Sequence, residues 1–99
     1  MGSNMAGVML VKQKVTDVGR WNAVFSDPAL DAERRRHGLR VTGTYVDGED
    51  PDTIIVVMQM ANIAQARAFA GSATLADARE RAGAVGSPAG VWYGPEQIG

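Results

Sequence analysis

The chain carries a single histidine, His37, directly after the arginines 34–36 in "RRRHG". Imidazole is the side chain whose ordinary pKa lies nearest neutrality, so His37 is the natural acid–base candidate, with the phenol of Tyr45 as a second proton-moving group. The competing reading of His37 is a helix-end cation set against terminal carbonyls. Trp21 and Phe25 stand four residues apart, one turn of helix, and would face the same way. They read as core, or as the wall of an apolar pocket together with Trp92 and Met58. Arg40, Gln59 and Tyr45 are the polar side chains that could converge on such a pocket, depending on which strand faces point inward. Met9, Met58 and Met60 fit core filling, although flexible thioethers also suit adaptable pockets.

Other chemistries find no support. There is no cysteine, hence no disulfide and no thiolate metal ligand. The acidic run "DGEDPD" (residues 47–52) lacks the glycine placement and closing glutamate of a calcium loop. No phosphate-binding glycine loop, dinucleotide fingerprint, nucleophile triad spacing or zinc pair occurs, so neither metal nor cofactor is expected. A net charge of −1 on 99 residues offers no basic footprint for nucleic acid or for an anionic membrane. The apolar run at residues 6–11 is too short to span a bilayer and lacks a signal-peptide layout. Together with the absence of cysteine, this fits the cytoplasm. Residues 1–4, "MGSN", read as a cloning remnant, and 5–99 as one domain.

The elements that would position these side chains follow from patterning. Residues 8–15 alternate as a strand, with Met9, Val11 and Val15 on one face and Lys12 and Lys14 on the other. Asp17 can cap a short helix bearing Trp21 and Phe25. At "SDP" a continuous helix is costly, because proline lacks an amide proton and clashes with the previous turn. Ser26 or Asp27 followed by Pro28 therefore starts a second segment, closed by the arginines, His37 and a left-handed Gly38. "LRVTGTYV" and "TIIVVMQM" read as strands joined by the acidic turn. Asn62 with Gln65 resembles a capping box for a further helix through Phe69. Gly71 and Ser72 break that helix, Thr74 with Asp77 restarts it, and Gly83 ends it. "GVWYG" supplies a last short strand.

The order β-α-β-β-α-β is the ferredoxin-like α+β plan, a four-stranded antiparallel sheet with helices on one face. Ile54, Val56, Met58 and Met60 point one way along the strongest strand, while Ile55 and Val57 point the other. A strand apolar on both faces is a strand buried on both faces, and one helical layer covers only one. A second copy can cover the other face by twofold symmetry, so a homodimer is expected. The competing reading is a modestly wet open face, which Lys12, Lys14 and Gln59 favour.

The segments "VTDVGRWNAVF", "GLRVTGTYVDGEDPDTIIVVMQM", "AQARAFAGSATLADARERAG" and "AVGSP" together resemble the stand-alone dimeric α+β barrel proteins. That group is known as cyclase-like or antibiotic-biosynthesis-monooxygenase-like. The resemblance implies two chains forming a dimeric α+β barrel, with a pocket between helices and sheet for a small hydrophobic or aromatic molecule. It also implies cofactor-free oxygenation or cyclase/isomerase chemistry wherever members are enzymes. Two departures stand out. Relatives commonly place a histidine shortly after the phenylalanine, where this chain has "SDPAL". The second helical region also lacks the histidine that the haem-degrading branch uses, so neither chemistry carries over residue by residue. The alternative is a non-catalytic binding or assembly module whose pocket is filled by its own side chains.

Overall fold

Residues 7–99 are described by a computed structural model; the remnant expected at 1–4 lies outside them. The elements run β1 (Gly7–Lys14), α1 (Val18–Phe25), α2 (Pro28–Arg36), β2 (Leu39–Val46), β3 (Thr53–Met60), α3 (Ile63–Ala70), α4 (Ala73–Ala82) and β4 (Gly90–Gly94). Each crossover is thus a pair of short helices. Local chemistry sets the breaks. The Asp17 carboxylate accepts from the Arg20 N–H at 3.1 Å, and Asp27, with Pro28 in the first turn, accepts from the Ala29 N–H at 3.0 Å. Asn62 caps α3 by accepting from the Gln65 N–H at 3.0 Å. The restart of the second crossover differs from expectation, since Ser72 and not Thr74 is the cap. One hydroxyl serves both helices there: Ser72 Oγ donates to the Phe69 carbonyl at 2.8 Å and accepts from the Leu75 N–H at 3.1 Å. Gly38 and Gly83 close the two crossovers with φ of +69° and +83°, backbone that a side chain would strain.

The strands pair antiparallel in the order β2-β3-β1-β4, the ferredoxin-like α+β arrangement. Met9, Val11 and Gln13 of β1 lie opposite Met58, Val56 and Ile54 of β3. This face carries the helices, and its core joins Met9, Ile54, Val56, Met58 and Met60 to Trp21, Leu30, Phe69 and the small residues Ala66, Ala78 and Ala82. Burying each of the larger apolar side chains contributes about 2 kcal/mol. The other face alternates Val8, Leu10, Lys12 and Lys14 against Gln59, Val57, Ile55 and Thr53.

β2 breaks its own alternation. Val41 pairs with Met58, but Gly43, not Thr42, pairs with Val57, so two residues oppose one across a β-bulge. The strand that begins with odd residues inward therefore ends with even residues inward. Among the described residues, no helix is long and apolar enough to cross a membrane.

The hairpin tip is a charge-assisted knot. The Asp50 carboxylate accepts from the Asp52 N–H at 3.0 Å, Thr53 Oγ1 at 2.8 Å and Lys14 Nζ at 3.2 Å. These bonds, the backbone one foremost, hold its pKa below the ordinary 3.8. A folded-state value below the unfolded one gives stability that is present above the unfolded pKa and lost as pH falls through the folded pKa. Asp50→Asn is therefore expected to be less stable than the parent at pH 6, with the gap closing as denaturation curves are taken down through the acidic carboxylate range.

Candidate functional site

The helix capped by Asp17 turns Trp21 toward the sheet, where it is 3 % exposed. Phe25, one turn on, stacks against it with ring centroids 4.0 Å apart and planes 8° from parallel. The break at Pro28 then folds α2 back on this pair. Of the three consecutive arginines only Arg34 turns inward, on the same helix face as Leu30, and both are buried. Arg34 Nη2 donates to the Phe25 carbonyl at 2.5 Å, and its guanidinium carbon lies 6.0 Å from the centre of the Phe25 ring. Arg35 and Arg36 stay exposed and pair with Asp31 and Glu33. Burial pushes the Arg34 guanidinium below its ordinary pKa, with the nearby Asp31 carboxylate opposing; an arginine remains cationic throughout the physiological range.

A second polar group enters from β1. Gln13 occupies an inward strand position and is fully buried. Its amide donates to the Lys14 and Val85 carbonyls at 2.8 and 3.2 Å, and its Oε1 accepts from Arg79 Nη2 at 2.7 Å. Arg79 also donates to the Gly86 carbonyl at 2.7 Å, tying α4 to the loop before β4.

Between these two polar groups lies a cavity of about 140 Å³. Met9, Val11, Val56, Met58 and Val91 form its sheet side, while Trp21, Phe25, Phe69 and Leu75 form its helix side. Gln13, Arg34, Arg79 and Thr44 are its polar lining. A shallower cleft of about 360 Å³ adjoins it, sharing Trp21, Phe25, Arg34 and Thr44 and adding Asn22, Ser26 and Asp31. Trp21 Nε1, Arg34 Nη1 and Arg79 Nε are buried without a hydrogen-bond acceptor among the described residues. All three side chains belong to the cavity lining. Such an arrangement can desolvate a small ring and stabilise negative charge on an oxygen.

Of the residues singled out from the sequence, Trp21, Phe25 and Met58 meet at this cavity. Arg40, Tyr45, Gln59 and Trp92 do not, and one pocket cannot gather all of them. Arg40 pairs with Gln59, Tyr45 with Ile55 and Trp92 with Leu10, all on the sheet face away from the helices. For Tyr45 the bulge decides: unbroken alternation from Val41 would aim it inward, whereas the extra residue sends Thr44 in and Tyr45 out. His37 lines neither opening. Its Nδ1 sits 2.9 Å from the Glu33 carbonyl, and its ring is 5.5 Å from that of Phe69. Gln13, Arg34, Thr44 and Arg79 were not anticipated. A polar residue at an inward position of β1, and an arginine one turn after the sole leucine of α2, were the available signals.

No family model and no curated protein matches the chain. Solved structures do. One from Bordetella bronchiseptica, named as a "putative antibiotic biosynthesis monooxygenase", superposes with a TM-score of 0.69 at 17% identity over 94% of this chain and 97% of that one. A protein of the same name from Caulobacter crescentus gives 0.67 at 16% identity, covering 95% and 92%. Another from Chloroflexus aurantiacus gives 0.58 at 16%, covering 94% and 93%. At this identity the likeness is one of fold, and the chain has the ferredoxin-like α+β fold of these proteins.

The stacked pair makes a stability expectation. Trp21→Ala should cost about 3–5 kcal/mol in urea denaturation through lost burial and stacking. Trp21→Phe should cost clearly less, because the indole N–H that it deletes has no protein acceptor to lose.

Proposed function

We propose that the protein works as a homodimer in which each chain holds a small hydrophobic or aromatic molecule in the cavity between its helices and its sheet. The chemistry proposed is of cofactor-free monooxygenase or cyclase/isomerase type. The observation that carries this reading is the apolar cavity beside the Trp21–Phe25 stack, with the Arg34 cation in its wall. Its volume of about 140 Å³ resembles that of a dry apolar cavity known to admit benzene, roughly 150 Å³. The fold shared with proteins named as monooxygenases supports the reaction class. In this reading the protein positions and desolvates its substrate, and Arg34 steadies developing negative charge. His37 and Tyr45 line neither the cavity nor the cleft, whereas the Asp31 carboxylate lines the adjoining cleft.

The dimer is supported by the uncovered sheet face. Val8, Leu10, Ile55 and Val57 lie there with Tyr45 and Trp92, which are 58 % and 54 % exposed. Each aromatic ring lies over a glycine two residues earlier in its own edge strand, Tyr45 over Gly43 and Trp92 over Gly90. The rings therefore lie flat on the sheet and present a smooth apolar surface to a second copy.

A binding module without chemistry is the second reading. It is favoured by one observation: among the described residues the only ionisable groups lining the cavity are arginines, which do not exchange protons near neutrality.

Two measurements test these statements. Sedimentation should give twice the 10.5 kDa chain mass, and Leu10→Lys should yield a folded monomer; a single-chain particle at high concentration would sink the dimer. A thermal-shift screen of small aromatic compounds should raise the melting temperature of the parent and not of Trp21→Ala, and a hit that consumes oxygen or is isomerised selects the enzyme over the binding module.

A further inference from the structure

We infer that the cavity takes an aromatic acid, its ring among the apolar side chains and its anionic oxygen held by Arg34 Nη1 and Trp21 Nε1. This rests on the reading that the cavity is the ligand site, and adds the chemical class of the ligand.

Hydrogen-bond accounting carries the inference. Arg34 is 4 % exposed, and only Nη2 has a bond, to the Phe25 carbonyl. Nη1 has Asp31 Oδ1 at 3.7 Å, too long for a hydrogen bond, so the buried cation keeps an unused donor. The Trp21 indole N–H, 3 % exposed, is equally without an acceptor. Buried donors are nearly always satisfied, and the side chains that carry these two, one charged and one neutral, both line the cavity and its adjoining cleft. The charge count points the same way. Among the described residues Arg34 and Arg79 line the cavity and no acidic residue does, Asp31 being confined to the adjoining cleft. Arg79 Nε is a further buried donor left over after its other bonds to Gln13 and Gly86. Two cations and an unpaired indole donor in an apolar wall, offset by the single Asp31 carboxylate, leave a net positive charge that favours an anion over a neutral molecule of the same shape. The remaining lining, above all the parallel Trp21 and Phe25 rings, suits a flat hydrocarbon body.

Benzoate and its neutral near-isostere benzamide are the probes, followed by calorimetry and by the two indole N–H resonances in a nitrogen–proton correlation spectrum. Benzoate should bind about tenfold or more tighter than benzamide. It should shift the Trp21 indole signal and leave that of Trp92 in place. Arg34→Met should remove that preference, benzoate losing about tenfold more affinity than benzamide, and Arg34→Lys, which keeps the charge but not the fork, should fall between. Equal binding of both probes would overturn the inference and leave the cavity as a ligand site. Binding of neither would overturn the inference and the site together. Should Arg34→Met fail to fold, the ratio in the parent protein and the identity of the shifted indole decide the matter alone.

Discussion

All four helices lie on one side of a four-stranded sheet, and that asymmetry governs the molecule. β1 and β3 run through the middle, so their inward residues Met9, Val56 and Met58 are sealed beneath the helices. Their outward residues Leu10, Ile55 and Val57 are only half covered within the chain. Apolar surface removed from water is the main favourable term in folding, and here the helical layer supplies it once where the sheet asks for it twice. The inward face accordingly forms the core and the cavity, while the outward face keeps apolar side chains in contact with solvent.

Within the core, the costly element is Arg34. A guanidinium taken out of water needs partners, and this one has a backbone carbonyl, an aromatic face and a carboxylate just beyond bonding reach. It is there because of a covalent accident of α2: Pro28 forbids continuation of α1, the chain turns, and the helix face bearing Leu30 also bears Arg34. Gln13 and Arg79 form a similar polar insertion from the other side, but one tied down by five carbonyl or amide acceptor contacts. The contrast identifies Arg34, more than Arg79, as the group with capacity to spare.

Much of this architecture is legible in the residues alone. Caps and breakers act over a few residues, so Asp17, Pro28, Asn62, Gly38 and Gly83 mark the crossovers, and the β2–β3 hairpin and β4 follow from β-branched runs between turn residues. The order of elements and the fold follow from these. The composition of the site does not, because it depends on geometry that is not local. A bulge at Thr42 and Gly43 exists only in relation to Val57 on the neighbouring strand, and it decides the side on which Tyr45 emerges. The inward turn of Arg34 depends on the angle between two helices, which no spacing rule encodes. Gln13 had a visible signature as a polar residue in an apolar register, and Ser72 outranked Thr74 because it could close one helix while opening the next.

The bulge in β2 also bears on how such a chain diversifies. With two residues set against Val57, the strand is divided into an upstream half anchored by Leu39 and Val41 and a downstream half whose inside and outside are exchanged. Loss of a single codon at that point would remove the extra residue and restore simple alternation without touching the downstream register, leaving Thr44 opposite Val56 and Tyr45 opposite Ile55. The irregularity is thus a one-residue insertion that a lineage can gain or lose at little cost, because the interior on either side of it and the scaffold around it stay the same.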